Sequence, residues 1–249
     1  MTEEDRQRAI RLRLARMEAE PRGTAIPTGF AQLDKALGGG GLPRGRITEI
    51  FGPSSSGKTT LLLQIVAHMQ EAGLSAAWID AERSYDPTYA AQLGVAAERL
   101  PVAQPDAAEQ ALEIARQLAE TGAVDLLVVD SAAALVPSAE LEAGIGQGAY
   151  GLHSRVLASG LRKLAVTLAR AGAAAVFLNQ TRWRPGEGGT EAETSAGGAP
   201  LKLYAAVRVA LFGAGSRQAG FRVLKNKVSE GLAEGRLAWR QGEGFTKSP

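Results

Sequence analysis

Ile47–Leu61 reads ITEIFGPSSSGKTTL. Ile47, Ile50 and Phe51 are the apolar residues of a buried strand. Gly52–Thr59 then matches G-x-x-x-x-G-K-[ST] without a mismatch, and Leu61, Leu62, Leu63, Ile65 and Val66 form the apolar run of a following helix. Strand, glycine-rich turn and helix in this register are the context a phosphate-binding loop requires. Successive backbone N–H groups can curl around an anion, with glycine at 52 and 57 removing the Cβ atoms that would block closure. The helix behind presents free N–H groups and its positive dipole end to the same anion. The expected nucleotide-binding segment is therefore Gly52, Pro53, Ser54, Ser55, Ser56, Gly57, Lys58, Thr59 and Thr60. Lys58 can reach the β- and γ-phosphates, and the Thr59 hydroxyl can ligate Mg²⁺. A turn that binds nothing leaves the joint register of strand, loop, Lys-Thr and helix unexplained.

Working outward, the 249 residues are 45% hydrophobic, enough for one large α/β core. A net charge of +2 and a pI near 9.0 are compatible with nucleic acid without demanding it. With no cysteine, disulfides and thiolate metal sites are excluded. His68 and His153 lie far apart and form no ligand cluster. No apolar run approaches the ~20 residues of a membrane span, and residues 1–20 have no apolar secretion core. The expectation is a cytoplasmic protein without a membrane partner.

Residues 3–20 are expected to form an amphipathic helix, capped by Thr2 and Asp5, with Ile10, Leu14 and Met17 on one face among five arginines. It could pack on its own core, on a neighbouring subunit or on an acidic surface. A linker over 21–25 leads into a core over 26–249. Expected helices cover Pro87–Leu93, Ala107–Glu120 and Gly151–Ala171, the last with Leu152, Val156, Leu161, Leu164 and Leu168 inward. Expected strands cover Ser75–Asp80, Val124–Asp130 and Ala174–Leu178, then Val207–Phe212, Gly220–Lys225 and Arg236–Arg240. Strands alternating with helices argue a doubly wound, mostly parallel sheet, and the final three an antiparallel extension. Two glycine-rich stretches, 140–151 and 181–199, are expected to be mobile loops.

Apolar Leu126–Val129 ends in Asp130, which a buried parallel strand would deliver to the carboxyl edge where the phosphate loop also lies. Asp130 can hold the Mg²⁺ hydration shell. SAAWIDAE, Ser75–Glu82, delivers Asp80 and Glu82 to that edge. A carboxylate there could polarise the water attacking the γ-phosphate, or be a solvated loop acid.

The chain resembles the bacterial RecA family. The resemblance is carried by IPTGFAQLDKALGGGGLPRGRITEIFGPSSSGKTT, WIDAERSYDPTYA, QPDAAEQALEIA, VDLLVVDSAAALVP, LRKLA, FLNQTR, GGAPLKLYAAVR and VLKNKV, from Ile26 to about Phe245. It implies a RecA-like P-loop ATPase fold and an ATP- and Mg²⁺-dependent hydrolase. Such an enzyme assembles as an oligomer or filament on single-stranded DNA in homologous recombination, DNA repair or the damage response. Glu82 becomes the general base, and Asp86 and Tyr89 match the positions that hold adenine, Tyr89 by stacking. Gln180 matches the glutamine that senses the γ-phosphate. Lys225 and Lys227, spaced by two, match a pair that reaches a neighbour's γ-phosphate; otherwise they are edge-strand lysines that block aggregation. Arg155, Arg162 and Arg182, with the N–H groups of Gly197 and Gly198, match DNA phosphate contacts. Arg182-Trp183-Arg184 is a basic cluster with a stacking ring in its own right.

The sequence departs from the family pattern at Pro185, Glu187, Gly188 and Gly189, which stand where large apolar residues order stretched DNA. Leu203 stands where an interface phenylalanine is expected, and the chain stops where a small duplex-engaging domain usually begins. A second reading is therefore an accessory RecA-like protein that regulates a recombinase filament or a translesion polymerase complex by docking on a repair-protein partner. A third is a RecA-fold ATPase of another trade, such as a helicase or clock-type regulator.

Overall fold

The computed structural model describes residues 23–38, 40–144, 151–185, 191–196, 198–213, 218–230, 233–240 and 242–246, and within these the side chains of 183–185 and 191–194 are excluded. The expected helix over 3–20, Gly197 and the centres of both glycine-rich stretches lie outside the described residues.

A short ribbon of β1 (Ala25–Ile26) and β2 (Leu42–Pro43) flanks helix α1 (Ala31–Ala36). Then come β3 (Ile47–Gly52), α2 (Lys58–Glu71), β4 (Ala76–Asp80), α3 (Pro87–Gln92), β5 (Val102–Ala103), α4 (Ala108–Thr121), β6 (Leu126–Asp130), α5 (Ser138–Glu142), α6 (Leu152–Ala171) and β7 (Ala174–Pro185). The chain continues through β8 (Glu191–Ser195), α7 (Ala199–Tyr204), β9 (Val207–Phe212), β10 (Gln218–Asn226), β11 (Glu234–Arg240) and β12 (Gly244–Thr246). The main sheet runs β12-β11-β10-β9-β3-β7-β6-β4-β5, with β8 paired to β7 alone. From β9 to β5 the pairings are parallel, and from β9 to β12 antiparallel.

Strands β4, β6 and the first half of β7 read as near-continuous apolar runs because both sheet faces are covered there. Period-two alternation sends Ile50, Leu126, Val128, Val176 and Leu178 to a core beneath α2, and Ile47, Leu127, Val129, Ala175 and Phe177 to a core beneath α4 and α6. Helix α4 buries Ala108, Ala111, Leu112, Ala115 and Ala119 at three- and four-residue spacing. Such small residues let α6 approach closely, and Leu112 packs against Gly160.

Four expectations are corrected. On α6 the buried face is Leu157, Leu161, Leu164 and Leu168; Leu152 and Val156 are only half-buried, Val156 packing at the margin of the core beneath α4 and α6. Strand β9 pairs parallel to β3 as well as antiparallel to β10, so it is the hinge of the sheet rather than part of a separate extension. Gln180 does not end β7. The strand continues to Pro185 and folds back as β8, so Arg182-Trp183-Arg184 belongs to a β-ribbon and not to a loop. Strand β10 lies inside the sheet between β9 and β11, so its lysines do not guard an edge.

Candidate active site

The phosphate loop leaves β3 at its carboxyl end. A Cβ on Gly52 would lie 2.1 Å from the Leu211 carbonyl oxygen on β9, so only glycine lets the loop start there. Gly57 adopts φ +88° at the N-cap of α2, and a Cβ on it would lie 2.7 Å from the Phe245 ring. The tertiary structure shows what a Cβ would meet at each position, the β9 backbone at Gly52 and the Phe245 ring at Gly57.

Lys58 folds over the loop, its Nζ donating to the carbonyls of Gly52 at 3.1 Å and Pro53 at 2.8 Å and to Ser56 Oγ at 3.5 Å. Burial holds its pKa below the usual lysine value, against the pull of the Asp130 and Glu82 carboxylates. Thr59 Oγ1 donates to Asp130 Oδ2 at 2.9 Å. Burial pushes the Asp130 carboxyl up to about 6; the Thr59 hydrogen bond opposes this, while Glu82 and Asp80 add to it. A hydroxyl and a carboxylate oxygen so placed, with Lys58 beside them, are a hard-oxygen donor set that fits Mg²⁺.

Glu82 is exposed at the end of β4 and accepts from two donors, the Ser131 hydroxyl and Gln180 Nε2, the latter at 3.2 Å. Its own N–H donates to the Asp130 carbonyl at 3.1 Å, which pins the turn to β6. Asp80 has a different job. It is wholly buried and accepts from the N–H groups of Ser84 at 3.0 Å and Tyr85 at 3.1 Å and from Gln104 Nε2 at 2.9 Å. Of the two acids expected at this edge, Asp80 shapes the loop and Glu82 is exposed beside Ser131 and Gln180. Ser131 escaped sequence reading, although its position directly after the strand-ending Asp130 was the available signal.

Asp86 caps α3, accepting from the N–H groups of Thr88 at 2.8 Å and Tyr89 at 3.3 Å. Tyr89 Oη lies 2.8 Å from Thr60 Oγ1, so the α3 turn is latched to the phosphate-loop helix. Lys58, Thr59, Thr60, Glu82, Tyr89, Asp130 and Gln180 thus converge on one sheet edge.

Lys225 and Lys227 do not join them within this chain. Lys225 Nζ donates to the carbonyls of Lys202 at 2.6 Å and Leu203 at 3.1 Å, capping the end of α7. Burial lowers its pKa, and the charges of Lys227 and Arg208 act the same way. Strand β10 ends at Asn226, and Lys227 follows directly, its N–H donating to the Ala206 carbonyl at 2.9 Å. Leu203 beside them is 66% exposed.

Arg155 and Arg162 are exposed on α6, and Arg182 is exposed at the start of the ribbon. Arg162 Nε donates to Tyr204 Oη at 3.1 Å, a hydrogen bond that raises its pKa. A Cβ on Gly198 would lie 2.8 Å from Ser154 Oγ, so the return of the second glycine-rich stretch abuts the first turn of α6. Side chains of Trp183 and Arg184 lie outside the described residues, as does Gly197.

The family model described as the RecA N-terminal domain matches residues 7–246. The chain is similar to Protein RecA of Rubrobacter xylanophilus, 47% identical over 238 residues that cover 92% of this chain and 69% of that protein. Protein RecA of Nocardia farcinica is 45% identical over 266 residues, covering 98% and 77% respectively. Protein RecA of Thermus aquaticus is 47% identical over 230 residues, covering 88% and 68%.

Proposed function

The chain belongs to the RecA family, and from that premise we propose that it binds and hydrolyses ATP with Mg²⁺ and assembles on single-stranded DNA in recombination and repair. The observation that carries the reading is the convergence of Lys58, Thr59, Asp130, Glu82 and Gln180 at one sheet edge. Among the described residues no helix is long and apolar enough to cross a membrane.

The loop N–H groups and the α2 dipole hold the phosphates, and Lys58 exchanges its carbonyl partners for phosphate oxygens. Thr59 and Asp130 hold the metal, which when bound neutralises phosphate charge. Glu82 is aligned by Ser131 and Gln180 to accept the proton of the attacking water. Gln180 reports the γ-phosphate to the ribbon that begins at Thr181. Tyr89, latched through Thr60, stacks on adenine, with Asp86 ordering its turn. Arg155, Arg162, Arg182, Trp183, Arg184 and the N–H groups of Gly197 and Gly198 contact the DNA strand. Lys225 leaves α7 in the oligomer, and with Lys227 reaches a neighbour's γ-phosphate.

The test is ATP turnover with and without single-stranded DNA, alongside electron microscopy. DNA is expected to raise wild-type turnover. Glu82→Gln should lower it by about 10²–10⁴-fold, the usual worth of a positioned general base, with nucleotide binding retained. No stimulation together with no filaments overturns the DNA reading. Unchanged turnover in Lys225→Ala overturns the trans role of that lysine.

A further inference from the structure

Glu49 is an acid in the middle of the apolar strand β3, wholly buried and without a part in the chemistry above. Its Oε2 accepts from Arg208 Nε at 2.5 Å and its Oε1 from Asn179 Nδ2 at 2.9 Å. The Arg208 side chain is 14% exposed, and Asn179 is completely buried. A buried acid–base pair rarely adds stability over an apolar pair of the same volume, so its presence asks for another explanation.

The partners of the pair supply one. Arg208 Nη2 donates to Ser195 Oγ at 3.1 Å, and its guanidinium lies 4.8 Å from the centre of the Phe51 ring, directly ahead of the phosphate loop. Asn179 Nδ2 donates to the Ala196 carbonyl at 3.0 Å, and Asn179 Oδ1 accepts from the Gln180 N–H at 2.9 Å. The Ala196 N–H in turn donates to the Gln180 carbonyl at 2.9 Å. The network therefore grips both strands of the β7–β8 ribbon at its base, at Gln180 and at Ser195-Ala196. It grips the strand carrying the phosphate loop as well, and Gln180 reaches Glu82.

We infer that Glu49 and Arg208 are positioning residues that tie the ribbon's return strand to the Gln180–Glu82 contact, so that occupancy of the ribbon by DNA and occupancy of the phosphate loop by ATP report to each other. The inference rests on the DNA-dependent ATPase reading. It extends that reading to two side chains that touch neither ligand. The guanidinium bonds Glu49 through Nε and Ser195 through Nη2, a fixed two-nitrogen geometry that the single nitrogen of an ammonium does not reproduce.

The decisive variant is Glu49→Gln with Arg208→Met, which removes both charges together and leaves neither buried alone. The readout is the ratio of DNA-stimulated to basal ATP turnover, with the melting temperature measured in parallel. A coupling carried by the pair predicts that the double variant stays folded while the ratio falls by about tenfold, within the range usual for coupled sites. A wild-type ratio in the double variant overturns the inference and leaves the functional reading intact. A wild type indifferent to DNA fails the functional reading and the inference with it, and is recognised because the loss is already present without substitution. If the double variant does not fold, Arg208→Lys serves instead. It keeps the Glu49 charge pair and drops the reach to Ser195, so the ratio should fall with stability near wild type; an unchanged ratio overturns the inference.

Discussion

Phe245→Ala probes the support beneath the phosphate loop. Phe245 is 2% exposed, with its ring edge-on to Phe30 at 6.4 Å and to Trp239 at 4.9 Å between centroids. It fills the space beside Gly57. Its N–H donates to Gln64 Oε1 at 2.8 Å, and Gln64 Nε2 donates back to its carbonyl at 2.8 Å, so β12 is clamped to α2. A buried Phe→Ala change costs about 3–5 kcal/mol, and two edge-on ring pairs place this site near ~4 kcal/mol. Against a total of about 5–15 kcal/mol the protein stays folded. At about 2–4 °C per kcal/mol for a chain of this size, the melting midpoint should fall by roughly 8–16 °C. The lost ring also removes the contact that confines Gly57, which lies in the proposed phosphate loop. About 1.4 kcal/mol of that loss should therefore appear as a tenfold weaker nucleotide affinity. Thermal melting by circular dichroism and titration with a fluorescent ATP analogue measure the two effects separately. A lower midpoint with unchanged affinity would show that the hairpin braces only the sheet, and an unmoved midpoint would refute the packing argument itself.

Three other outcomes are expected. Burial pushes the Asp125 carboxyl up, but the Ser75 N–H and hydroxyl and the Arg44 guanidinium, 2.9 Å away, outweigh it and hold the pKa below its ordinary 3.8. Its stabilisation is therefore fully present above that value and lost as pH falls through the depressed pKa. Asp125→Asn should cost about 3 kcal/mol in urea unfolding at pH 7, because Arg44 is left buried without its counter-charge, and should flatten the acid limb below pH 4. Gly160→Ala places a Cβ 2.5 Å from Leu112 Cδ1. The overpacking cost of about 1–3 kcal/mol should exceed the ~1 kcal/mol gain in helix propensity, giving a lower urea midpoint at constant slope. Asp86→Ala removes the α3 cap and should lower stability by about 1 kcal/mol, with faster amide exchange at Thr88 and Tyr89.

Legibility in the sequence followed the range of the interaction. The phosphate loop was readable because its chemistry is local: nine consecutive residues carry the turn, the charge and the hydroxyl. The parallel sheet was readable because doubly covered strands are continuously apolar. Asp130 and Glu82 were readable because a parallel sheet brings strand ends to one edge. The β7–β8 ribbon was not, because Gly186–Ala199 lacks the apolar alternation that marks a half-buried strand, and its pairing comes from backbone hydrogen bonds extending β7. Glu49 was visible as an acid in an apolar run, but its partner Arg208 lies 159 residues away and no local pattern links them.

Sequence by itself determined that this chain folds as a RecA-type α/β core and which candidate side chains gather at one sheet edge, since strand period, loop spacing and residue chemistry are all short-range. Only the tertiary structure decided how those side chains are held. It assigned Asp80 to the loop backbone and left Glu82 exposed beside Gln180. It set Ser131 behind Glu82, rested Lys225 on α7, and placed Phe245 under Gly57. Apart from the local Asp80 bonds to Ser84 and Tyr85, these are contacts between segments far apart in the chain, and they exist only once the fold brings those segments together.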